Sequence, residues 1–184
     1  TVTGVQTCAL PICKIKGMDV LVDAVAELHK AGRKVSLAMA GDGVDSEALR
    51  EQVARLGLTD SVRFLGHLPA RQAFTFGHVL VVPSRADSLP YVVIEAGGAG
   101  IPMVATGVGG IPEIFGPGVP LVPPEDPTSL AEAIATALDN PTAARAGADK
   151  LRERVRTVFS QDAMVKSVLA AYDEAIAVKF QQSH

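Results

Sequence analysis

Asp87 and Glu95 are the two carboxylates whose placement could do chemistry: seven residues separate them, and Pro90 lies between. Proline fits the first turn of a helix, where its missing N–H would be unpaired anyway, so Tyr91 to Ala99 is expected to be helical with Gly100 as its stop. Glu95 would sit about one turn into that helix beside Val93, Ile94 and Ala96, where a carboxylate risks burial away from water. A buried charge is costly unless it finds hydrogen-bond donors, and a ribose diol supplies a pair of them. The helix start, which Leu89, Pro90 and Tyr91 form, should present the free backbone N–H groups of its non-proline residues and a partial positive charge beside the Asp87 loop, which suits a phosphate. Together these groups would hold a nucleotide sugar.

The flanking elements must position them. Val79 to Val82 is a short apolar run closed by Pro83 and Ser84, the pattern of a strand buried on both faces of a covered parallel sheet. Met103 to Thr106 repeats it, and Gly107, Gly109 and Gly110 then form a flexible loop before Pro112 opens a short helical turn. Earlier in the chain, Leu21, Ala24, Val25 and Leu28 mark a helix stopped by Gly32, and Asp45 to Leu56 another. Val35 to Ala40 and Val62 to Leu65 read as strands, ended by the turns Gly41-Asp42-Gly43 and Gly66-His67-Leu68-Pro69. A short helix over Ala70 to Phe76 precedes the acid loop. Val119 to Val122 is expected to be the last strand, and Asp126-Pro127 the cap and first residue of a helix. Helices over about Ala143 to Val158 and Gln161 to Val178 complete the chain.

Strands alternating with helices imply an α/β fold, a Rossmann-like open parallel sheet with helices on both faces. Ligands of such sheets sit at the carboxyl ends of the strands, where Lys16, Gly41, His67, Asp87 and Gly109 are all expected. With 184 residues, 48% of them hydrophobic, the chain is long enough for one domain with a proper core. A net charge of −3 gives no basic field for nucleic acid, and the aromatic content of 4% without Trp argues against stacking platforms. No apolar run reaches the roughly 20 residues of a membrane helix, and no signal-peptide pattern opens the chain, so a cytoplasmic location is expected. Cys8 and Cys13 have no His nearby or second pair, which supports neither a disulfide framework nor a metal site.

Residues 1–13, TVTGVQTCALPIC, differ in style from the rest of the chain. They resemble translated adaptor read-through and are expected to be a leader foreign to the domain, with Pro11 arguing against a central strand there. Val5 to Leu10 could still fill in as a makeshift strand. The expected domain therefore runs over 14–178, followed by a tail at 179–184.

Several motifs occur in one order: Pro83-Ser84, Asp87, Glu95-Ala96, Gly100-Ile101-Pro102 and Gly109-Gly110-Ile111-Pro112-Glu113. In this the sequence resembles the nucleotide-sugar-dependent glycosyltransferases of family 4, whose GT-B fold faces two Rossmann-like domains. It departs from them in having Asp87 where Glu is usual and Ser88-Leu89-Pro90 where Gly-Phe-Gly is common. The resemblance implies the C-terminal, donor-binding half of a GT-B fold and a retaining, hexosyl-type transferase with a nucleotide diphosphate sugar as donor and no metal cofactor. It implies that Glu95 holds the donor ribose, that Asp87 lies by the donor sugar, and that Lys16 contacts the diphosphate. An Arg that the family carries upstream of Lys16 has no counterpart, since its position falls in the leader. Gly41 and the turn at His67 would lie by the nucleotide, and Gly109 and Gly110 by the donor. The acceptor would belong to an N-terminal domain, which is also the route to an acceptor at a membrane surface. Two other readings stand beside this one: a non-catalytic nucleotide-sugar-binding module, and a GT-B-fold nucleotide-sugar epimerase.

Overall fold

The computed structural model describes residues 3–8 and 12–181. The chain begins with β1 (Thr3–Cys8), a 3-10 turn (Lys14–Lys16), α1 (Met18–Lys30), β2 (Val35–Ala40), α2 (Ser46–Arg55) and β3 (Val62–Gly66). It continues through α3 (Ala70–Ala73), β4 (Val79–Val82), α4 (Tyr91–Ala99), β5 (Met103–Ala105) and α5 (Ile111–Phe115). Three helices come last, α6 (Pro127–Asp139), α7 (Pro141–Val158) and α8 (Gln161–Gln181). The strands form one sheet in the order β3-β2-β1-β4-β5, and every pair is parallel. This is the strand order of a doubly wound nucleotide-binding fold, with β1 at the centre and β4 beside it.

Alternation along the strands divides the core in two. Val79 and Val81 join Val5, Leu37 and Met39 in a cluster with α1, α2 and α6, whereas Leu80 and Val82 join Val93, Ala96, Ile114 and Leu151 in a cluster with α4, α5 and α7. All four residues of β4 are buried, as the unbroken apolar run predicts. Burying each such side chain stabilises the fold by roughly 1.5–3 kcal/mol. Asp126 caps α6 by accepting a hydrogen bond from the Ser129 N–H at 2.9 Å, with Pro127 as the first helical residue. Gly17 turns the chain into α1 with φ of +67°, and a Cβ there would lie 2.0 Å from the Pro83 carbonyl oxygen. The lack of a side chain lets the Lys14–Lys16 turn rest on the end of β4.

Three expectations change. Residues 3–8 of the supposed leader form the central strand, in register with β2 along its whole length and with β4 at Val5 and Gln6. The sheet thus starts at Thr3 and not after Lys14; Pro11 lies outside the described residues. Val119–Val122 is not a strand: a single bridge joins Val122 to Thr106, because Pro117, Pro120, Pro123 and Pro124 remove the N–H donors that a ladder needs. The final helix continues through Gln181, past the expected boundary at 178.

Gln6 in β1 is 1% exposed, and neither its amide oxygen nor its amide nitrogen has a hydrogen-bond partner among the described residues. An unpaired buried polar group costs about 1–3 kcal/mol. Replacing it by Met, of similar length and without polar hydrogens, should raise the melting temperature, by about 2–4 °C for each kcal/mol recovered. A thermal melt of Gln6→Met that is unchanged or lower would show that the amide is satisfied in solution.

Candidate functional site

Five turns leave the carboxyl edge of the sheet, and they carry Lys16, Gly41, His67, Asp87 and Gly109 after β1, β2, β3, β4 and β5 respectively. Lys16, Asp87, Leu89, Pro90, Tyr91 and Glu95 surround one cleft of about 290 Å³, with Thr7 at the end of β1 also lining it. Lys16 Nζ donates to Asp87 Oδ2 at 2.5 Å, and the two side chains are only 24% and 12% exposed. The residues singled out separately in the sequence are therefore in contact. Desolvation opposes the attraction in such a pair, so its net stabilisation is modest and its main effect is to place both charges. α4 begins at Tyr91, and the first N–H groups of a helix have no partner within the helix, so its positive end opens into the same cleft.

Glu95 departs from expectation in its burial. It is exposed, because α4 turns Val93, Ala96 and Gly97 toward the core and Glu95 lies on the opposite side of the helix. No buried charge has to be satisfied there; what remains is a solvated carboxylate lining the cleft beside Lys16 and Asp87.

The other expected ligand residues lie elsewhere. The Gly41 N–H donates to the Gly66 carbonyl at 2.7 Å and closes the ends of β2 and β3. His67 is exposed in the following turn, and neither it nor Gly41 lines the cleft. Gly109 and Gly110 lie against the backbone of the acid loop. The Gly110 N–H donates to the Asp87 and Ser88 carbonyls at 3.2 and 3.0 Å, and a Cβ on Gly109 would fall 1.6 Å from the Asp87 carbonyl oxygen. These glycines pack against the backbone of the acid loop and do not line the cleft. A larger hollow of about 850 Å³ between α6, α7 and the 116–123 segment contains none of the candidate residues.

Sequence reasoning passed over Arg85, which the structure makes prominent. Its Nη1 and Nη2 bond the two carboxylate oxygens of Asp19 at 2.7 and 2.8 Å, Nη1 also reaches the Lys14 carbonyl at 2.6 Å, and Nε donates to Glu125 at 2.9 Å. Burial pushes the Asp19 carboxyl up, but the Arg85 hydrogen bonds and charge outweigh it and bring the group below its ordinary value. The two acids in turn hold the Arg85 guanidinium further above its ordinary range, against its own desolvation. The available signal was an acid in the first turn of α1 and a single cation in the acid loop. Thr106 was missed as well: buried at the end of β5, it donates through its hydroxyl to the Ser84 carbonyl at 2.7 Å and secures the start of that loop.

The placement of Gly109 is open to test. A side chain there requires a left-handed conformation, costing roughly 1–2 kcal/mol, and collides with Asp87. Gly109→Ala should lower the melting temperature and move the Asp87 and Ser88 amide resonances. Unchanged spectra would mean that the two loops are not in contact.

The profile of the family described as "Glycosyl transferases group 1" matches residues 5–140. A 2-deoxystreptamine glucosyltransferase of Streptomyces kanamyceticus is 34% identical over 166 residues, covering 88% of this chain and 43% of that protein. Among solved structures, sucrose-phosphate synthase of Thermosynechococcus elongatus is 28% identical, with a TM-score of 0.83 over 96% of this chain and 46% of the other. The Anabaena protein HepE in complex with UDP-glucose is 23% identical and shares the fold, with a TM-score of 0.83 over 95% and 49%. The chain spans 36% to 43% of the length of the first curated relatives it matches. Its sheet is the Rossmann-like domain of a GT-B fold, and the chain belongs to the group 1 glycosyltransferase family.

Proposed function

We propose that this chain is the donor-binding half of a retaining glycosyltransferase, one that moves a hexosyl-type sugar from a nucleotide diphosphate sugar to an acceptor glycan, lipid or small molecule. The observation that carries the reading is the meeting of Lys16, Asp87, Glu95 and the start of α4 in one cleft at the carboxyl edge of a parallel sheet. The UDP-glucose bound by HepE, which has the same fold, supports a donor of this class.

Transfer breaks the bond between the anomeric carbon and a diphosphate oxygen, and negative charge builds on the departing phosphate. Groups already aimed at that charge lower the barrier. Lys16 and the free N–H groups of the first turn of α4 would serve here, so no metal ion is proposed. Lys16 is paired with Asp87, so an incoming diphosphate competes with a carboxylate for the same ammonium. Asp87 then lies by the sugar, and Glu95, solvated beside them, accepts from the ribose hydroxyls. Ligand sites usually enclose about 300–1,000 Å³, and a cleft of about 290 Å³ falls just below that range. An acceptor-binding N-terminal domain is proposed as its other wall. The apolar stripe Met164, Val168, Leu169 and Tyr172 that α8 leaves exposed supports such a neighbour. Among the described residues no helix is long and apolar enough to cross a membrane. A cytoplasmic site of action is proposed, with any membrane-surface acceptor reached through the N-terminal domain.

Calorimetric titration with UDP-, GDP- and ADP-sugars tests the reading, and binding of none of them overturns it. Glu95→Gln should weaken nucleotide binding about tenfold to over a hundredfold, the loss of a charged acceptor being worth about 1.5–3 kcal/mol. Equal affinity for variant and parent would remove Glu95 from the ribose. Asp87→Asn should separate two ligands: affinity for the nucleotide sugar falls relative to that for the free nucleoside diphosphate, because Lys16 is released while the contact to the sugar is lost. Parallel losses for both ligands would place Asp87 on the nucleotide instead.

A further inference from the structure

The turn that carries Lys16 is not placed by apolar packing. None of the residues Lys14–Lys16 is buried, and Ile15 is 50% exposed. Beside the close approach of Gly17 to the Pro83 carbonyl, what fastens the turn is Arg85, whose backbone N–H donates to the Ile15 carbonyl at 2.8 Å and whose Nη1 donates to the Lys14 carbonyl at 2.6 Å. The same guanidinium grips Asp19 in the first turn of α1 through both carboxylate oxygens, and Glu125 beyond β5 through Nε. Glu125 has φ of +59°, a conformation that a side chain rarely adopts without an external hold. Two residues beyond Arg85 on the same loop stands Asp87. One side chain thus ties together the turn bearing the cleft's cation and the loop bearing its partner acid.

We infer that Arg85 is a positioning residue for the donor diphosphate: it sets where Lys16 stands by holding the Lys14–Lys16 turn against the acid loop. This rests on the assignment of Lys16 to the diphosphate. The task suits a planar fork that donates in several directions at once, and a lysine, as a point charge on a flexible stem, cannot replace it. With its side chain 18% exposed and its donors directed at Asp19, Lys14 and Glu125, Arg85 acts on the ligand through Lys16 and not by contact.

A double-mutant cycle on the whole chain tests this, with UDP, GDP and ADP as probes and the tightest binder carried through. Lys16→Met and Arg85→Lys should each lower affinity, by about tenfold for a lost charged hydrogen bond, and the double variant should lose no more than Lys16→Met alone. Losses that multiply, or an Arg85→Lys protein with full affinity, would overturn the inference. A merely structural role would lower the melting temperature and leave the cycle additive. A readout that needs no ligand is the ¹⁵N-resolved signal of the Lys16 ammonium, kept from fast exchange by its bond to Asp87. It should broaden or vanish in Arg85→Lys, and a signal that persists unchanged refutes the positioning role. If none of the three nucleotides binds the parent chain, the donor-site reading fails, and this signal alone then decides whether Arg85 places Lys16.

Discussion

Parallel pairing on both sides of β1 is the constraint on which everything else depends. A parallel sheet needs a crossover between successive strands and helices on both faces. Every connection is thereby forced to one end of the sheet or the other. Since β1 lies between β2 and β4, the turns that leave β1 and β4 emerge next to each other. Lys16 and Asp87, 71 residues apart in the chain, meet at 2.5 Å for that reason.

Apolar burial carries the turns only to the sheet edge; polar contacts and close backbone approaches arrange them there. Gly17 admits the Pro83 carbonyl, Gly109 admits the Asp87 carbonyl, and Thr106 bonds the Ser84 carbonyl. The fork of Arg85 spans the remaining gap. A cleft built in this manner keeps its charged groups partly wet, at 24% and 12% exposure for the central pair. Under the proposed donor-binding role they would exchange partners with a ligand without the large penalty of a fully buried charge.

The runs β2, β4 and β5 were legible because each meets Gly or Pro at an end and is largely buried on both sides, leaving no alternation to confuse; β3, with Arg63 exposed, was legible from the Gly66 turn that ends it. The start and end of α4 were read to the residue, since Pro90 and Gly100 punctuate it. β1 was legible only as a makeshift strand over Val5 to Leu10: Gln6 and Thr7 are polar, and it is burial between two neighbouring strands that identifies Thr3–Cys8 as the central one. Val119–Val122 misled in the opposite sense. Its apolar residues resemble a strand, but flanking prolines and an edge position leave it with one bridge.

The sequence by itself determined the fold class, the family and which residues would arrive at the carboxyl edge, because local periodicity and turn chemistry are written in neighbouring residues. Only the tertiary structure decided which of those residues face one another. Glu95 is solvated because the buried side of α4 is chosen by what packs on it, Leu151 and Val155 of α7. Gly109 and Gly110 became supports for the acid loop because β5 ends beside β4. Arg85 gained its place from Asp19, Lys14 and Glu125, groups 66, 71 and 40 residues away along the chain. A guanidinium that bonds several distant elements leaves no periodic trace in the sequence, and its role becomes visible only when the folded backbone brings its acceptors together.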